Sequence, residues 1–150
     1  MTLMENLSLP FHIKTPLGKA YGLARLEAQA LVVEYQWTDR FVGMFRSRIR
    51  SVHIPYMALH QVGLQKRWGK TILVLQAQSL MTFRYIPAAA QGFCWLHIQK
   101  RDRDMAHHFL DYLQIQLSER QLEQLYKQPL KLPEQELPWS QKLAQLLSRQ

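Results

Sequence analysis

The chain has 150 residues, with 19 Lys plus Arg against 11 Asp plus Glu and a net charge of +8. A hydrophobic fraction of 47% at this length excludes a disordered chain and is enough for a full core. The single Cys excludes an internal disulfide and a Cys-based zinc site, and no apolar run approaches the roughly 20 residues that span a bilayer.

Residues 1–10 contain Glu5 and no basic start, so they do not read as a signal peptide, and a cytoplasmic protein is expected. Thr15-Pro16-Leu17-Gly18 is a turn, because Pro presets φ and Gly tolerates positive φ. It separates a short apolar stretch, residues 9–14, from a strand over residues 20–27. Residues 30–37 give the clearest strand, with Leu31, Val33, Tyr35 and Trp37 on one face and Glu34 and Gln36 on the other. Residues 45–54 form another strand with an interrupted phase. Phe45 and Ile49 oppose Arg46, Arg48 and Arg50, while Val52 and Ile54 share the arginine phase, so a bulge near Ser51 is expected. Pro55 ends the strand.

Residues 59–65 form a short strand, and Arg67-Trp68-Gly69-Lys70 reads as a hairpin connection to a strand over residues 71–77. Further strands are expected over residues 80–86 and 92–100, with a loop at residues 87–91. From Asp102 or Asp104 the pattern turns helical, with Met105, Phe109, Tyr112, Leu113 and Leu117 on one apolar face. Ser118 with Gln121 is a capping-box pattern for a second, short helix that stops before Pro129. Residues 130–138 contain two prolines, directly after Pro129, and read as extended. Residues 139–147 read as a last amphipathic turn or two.

Seven or so short antiparallel strands followed by one amphipathic helix resemble the pleckstrin-homology (PH) superfold, and bacterial PH-like and GRAM-like domains in style. The residues that carry the resemblance are Leu31-Val32-Val33-Glu34-Tyr35, then Val52-His53-Ile54-Pro55 leading into the strand at Leu59 to Val62, and Arg101-Asp102-Arg103 opening the helix. It covers residues 9–117. The resemblance implies a mainly β fold, a partly open antiparallel barrel capped by a C-terminal helix whose plugging face is Phe109, Leu113 and Leu117. The Trp usual in the family's helix is missing, and Phe109 or Tyr112 stands in for it. The domain is assigned to residues 1–117, with a C-terminal helical and extended extension at residues 118–150.

Motifs for chemistry are sparse. The chain has no nucleotide-binding glycine loop and no Gly-x-Ser-x-Gly elbow. His107 and His108 are adjacent and diverge by about 100° on a helix, which does not suit chelation. Asp102 and Asp104 read as helix-start charges. Cys94 alternates with Leu96 and Ile98, the pattern of a small buried hydrophobe. A non-enzymatic protein without a cofactor is therefore expected.

Three features bear on binding. The first is Arg40, Phe41, Met44, Arg46, Arg48 and Arg50, an apolar loop flanked by arginines and followed by an arginine row. It suits anionic lipid headgroups at the inner face of a membrane, and phosphoinositide-binding PH domains resemble it. Against this stands a plain solvated strand face. The second is a scatter of basic residues, Lys66, Arg67, Lys70, Lys100, Arg101 and Arg103, with Trp68, Tyr85 or Trp95 available to stack on bases; nucleic acid ranks below the other partners. The third is apolar character in both strand phases. Ile72 and Val74, and Phe93 and Trp95, lie opposite the residues that fill a core. Something should cover them, either a second subunit or the C-terminal tail through Trp139 and Leu143. The expected function is an interaction or scaffold module that self-associates or takes a protein partner.

Overall fold

The computed structural model describes residues 7–39, 48–127 and 147. The strands are β1 (Ser8–Thr15), β2 (Gly18–Leu26), β3 (Ala30–Asp39), β4 (Arg50–Pro55), β5 (Leu59–Arg67), β6 (Lys70–Ala77) and β7 (Phe93–Ile98). One helix, α1 (Arg103–Lys127), follows a short 3-10 turn at Lys100–Asp102. The sheet order is β4-β3-β2-β1-β7-β6-β5, and every pairing is antiparallel. The edge strands β4 and β5 are consecutive in the chain but do not pair, so the sheet stays open at that seam, consistent with the expected partly open barrel capped by a helix.

Strict alternation builds the inside. Leu9, Phe11 and Ile13 from β1, Leu31, Val33 and Tyr35 from β3, Leu73 and Leu75 from β6, and Cys94, Leu96 and Ile98 from β7 are all buried in one cluster. Into this cluster α1 places Ala106, Phe109, Leu113 and Leu117, at steps of three and four residues. Phe109 is fully buried and takes the plugging position. The smaller Ala106, not Met105, completes that face, and Met105 is exposed.

At Gly22 of β2 a side chain has no room. A Cβ there would lie 1.9 Å from the Glu34 carbonyl oxygen and 2.7 Å from the Phe11 ring. The missing side chain lets the Phe11 ring, on the residue paired with Gly22, lie inside the curve of the sheet.

Three expectations are corrected. Residues 80–86 are not a strand. Successive backbone bonds from Thr82 to Ser79, Arg84 to Met81 and Ile86 to Phe83 wind them into turns. β6 and β7 already pair with each other, and only Phe83 and Ile86, three residues apart, reach the core. The bulge near Ser51 is absent. Arg50 to Pro55 pair with Tyr35 to Ala30 without a register shift, and Ile49, the residue the bulge was meant to turn inward, is exposed. The helix does not break at Ser118. No Gly or Pro interrupts it, and Arg120 donates to the Ala28 carbonyl at 2.7 Å, which fixes the helix beside the β2–β3 turn.

The chain divides into a compact unit of Met1–Arg120 and a second of Gln121–Gln150. Of the second, the described residues are the last helical turns of α1 and the helical, exposed Leu147. The expected extended stretch and the Trp139 and Leu143 cover lie outside the described residues, as do Arg40, Phe41, Met44 and Arg46.

Candidate functional site

The outer face of β5, β6 and β7 gathers the apolar residues that the sequence leaves without a core role. Antiparallel register sets Val74 directly opposite Trp95, Ile72 opposite His97 and Gln76 opposite Phe93. Phe93 and Trp95 are two apart on one strand and so share the outward face. Their rings stack at 5.8 Å with 19° between planes. All four of Ile72, Val74, Phe93 and Trp95 are half-buried. Gly63 of β5 lies opposite Val74, and nothing stands within 4 Å of where its Cβ would be. The result is a recess of about 250 Å³ over Gly63, walled by Gln65, Val74 and Phe93, beside the stacked aromatic pair. Sequence reading finds the aromatic and aliphatic residues because they break alternation. It misses Gly63, whose contribution is an absence of bulk visible only once β5 is paired with β6.

The arginine cluster is only partly within view. Arg48 is exposed and precedes β4, while Arg50 opens that strand opposite Tyr35. Because no bulge intervenes, Arg50 shares the phase of Ile54 and sits at the barrel's rim. There it lines a wide depression of about 830 Å³ with Tyr35, His53, Arg84 and Tyr85. The Tyr35 hydroxyl donates to the Tyr85 carbonyl and ties the turns at residues 79–86 to the sheet. The Arg84 guanidinium lies 4.5 Å from the centre of the Tyr85 ring.

Residues with chemical potential stand apart. Burial pushes the Cys94 thiol up to about 12, the opposite of what a thiolate nucleophile needs. Asp102 ends the 3-10 turn with a carboxylate oxygen 3.8 Å from Arg101. Among the described residues no group of three or more His, Cys, Asp or Glu side chains could hold a metal ion. No helix among them is long and apolar enough to cross a membrane. No family model, curated protein or solved structure matches this chain.

Proposed function

We propose that this chain is a non-enzymatic, PH-like interaction module that pairs with a second copy of itself through the outer face of β5, β6 and β7. The observation that supports this reading is a recess and a half-open aromatic stack on one surface: the hollow over Gly63 and the Phe93–Trp95 pair beside it. Around a two-fold axis the same patch meets itself, so each copy's aromatic pair can fill the other's hollow. Three strands of nine, eight and six residues offer roughly 15 by 20–30 Å of surface. That is below the ~800 Å² per partner of a standard stable interface, so pairing is reversible and concentration-dependent.

Light scattering at micromolar concentration tests it. The expected mass exceeds the 17.8 kDa of one chain and falls to that value for Trp95→Asp. A wild-type mass of one chain across the concentration range overturns the reading.

A further inference from the structure

The seam between the two halves of the sheet carries a second surface of different chemistry. β1 meets β7 at a single pair, His12 with His97. The two imidazoles stack there at 5.5 Å with 29° between planes. Around this crossing lies a cleft of about 380 Å³, lined by His12, Lys14, Trp68, Lys70, His97 and Lys100 among others. Lys14 pairs with Lys19 across the β1–β2 hairpin, which adds a further ammonium group beside the first.

Besides burial, the groups that hold both imidazoles below the ordinary histidine value are cationic. His12 feels His97, Lys14, Lys19 and Lys70; His97 feels Lys14 and Lys70. None of Lys14, Lys19, Lys70 and Lys100 forms an ion pair among the described residues. Three chain segments thus converge on a concave surface with lysines and, among the described residues, no carboxylate paired with them. An anion relieves their repulsion, and a phosphate accepts hydrogen bonds from several ammonium groups at once.

Trp68 gives the cleft its second property. It sits at the first central position of the two-residue β5–β6 turn with φ +53°, followed by Gly69 at +73°. Asn or Gly ordinarily fills such a position, and a bulky residue there is strained. The indole is also 97% exposed, so neither backbone preference nor burial accounts for it. What the position does provide is a flat aromatic face at the edge of a cationic cleft. Its sequence neighbours are Arg67 and Gly69, with Lys66 and Lys70 beyond, so it has no apolar companion on its own turn for insertion into a lipid layer. A stacking base needs only the one ring.

We propose that this cleft binds a nucleotide unit, with its phosphate against Lys14, Lys70 and Lys100 and its base on Trp68. The unit comes from one of two sources, a free nucleotide or a single-stranded nucleic acid. The cleft volume lies in the range of small-ligand sites. The site is separate from the proposed pairing patch, and its test does not depend on the oligomeric state.

Fluorescence anisotropy of the full chain with labelled oligothymidylate of about ten nucleotides, and separately with a fluorescent ATP, reads the binding. Capture of the strand is expected to weaken linearly in log salt, with a slope that drops by about 0.7 for each of Lys14→Gln and Lys70→Gln. Trp68→Ala, which changes a 97% exposed residue and keeps a Cβ at the same positive-φ position, is expected to weaken binding about tenfold. Arg84→Gln, which removes one charge from the separate depression lined by Tyr35 and Arg50, should leave affinity as it was. Capture of oligothymidylate without ATP identifies a strand; capture of ATP, or its competition with the strand, identifies a nucleotide as sufficient. Three results overturn the proposal: no capture of either probe at low salt, equal losses for Trp68→Ala and Arg84→Gln, or capture of phosphatidylserine vesicles when neither nucleotide probe binds.

Discussion

The outer faces of the two halves of the sheet are built differently. On β2 and β3, each exposed apolar residue faces a polar one: Tyr21 pairs with Gln36 and Leu23 with Glu34, while Lys19 pairs with Thr38. Arg25 reaches across to Glu34 at 2.5 Å. On β6 and β7, Val74 faces Trp95, and Phe93 stacks on that same ring. The inner faces of both halves are predominantly apolar, with Thr71 of β6 the buried polar exception among the described residues, and feed one core. Stability therefore constrains the inner faces alike, and the contrast outside needs another cause. The stack gains part of its burial from Val74 and from its own two rings, and the area it leaves open is what a partner would cover.

The largest effects should come from the shared interior, where both halves respond together. Phe109→Ala empties a fully buried position and should destabilise the fold by about 3–5 kcal/mol, a large part of a domain's stability. Gly22→Ala places a methyl group against the Glu34 carbonyl and the Phe11 ring, and a further loss of about 1–3 kcal/mol or more is expected from overpacking. Chemical denaturation measures both. A near-wild-type midpoint for Phe109→Ala would show that α1 does not plug the barrel.

Substitutions outside separate the halves. Leu23→Gln on β2 should shift stability by no more than about 0.5 kcal/mol and leave the solution mass unchanged. Trp95→Asp on β7, which also loses the half-buried stack on Phe93, should lower the melting temperature modestly while the fold persists, and reduce the mass to one chain. If both variants behave alike in light scattering, the two outer faces do not differ in function.

How much of this was legible follows from where each signal resides. Alternation over residues 30–37 and the turn residues at Pro16, Gly18 and Gly69 are local, and the strands they mark are present. Residues 80–86 mislead because their apolar content is strand-like. Whether they pair depends on a free neighbouring edge, and β6 and β7 leave none on their shared side. Ser118 misleads because a capping residue ends nothing when good helix formers continue past it. The residues of the β6–β7 patch are legible individually, since they violate a two-residue period within one segment. The lysine cleft is not. Lys14, Lys70 and Lys100 belong to three segments that only the β1–β7 crossing brings together, and nothing in their spacing announces it.

The smallest expected effect lies on the seam between the halves. His12 and His97 are both held below the ordinary histidine value of 6.5. Burial is the main cause for each, followed for His12 by His97 and the nearby lysines, and for His97 by Lys14 and Lys70. In the unfolded chain neither restraint exists, so the unfolded state takes up protons at a higher pH than the folded one. Stability is therefore constant with respect to this pair well above 6.5, and falls as the pH drops through 6.5 toward the folded values. Melting temperatures measured from about pH 7.5 down to about pH 5.5 should decline, and the His12→Gln, His97→Gln double variant should decline less. The lysines add a second lever. Inorganic phosphate, compared with chloride at equal ionic strength, should restore part of the wild-type loss, because a bound anion favours the protonated imidazoles. It should restore little in the double variant. Equal slopes for wild type and double variant would place the acid sensitivity elsewhere, on carboxylates or on the other histidines, and would leave the seam without any measurable electrostatic strain.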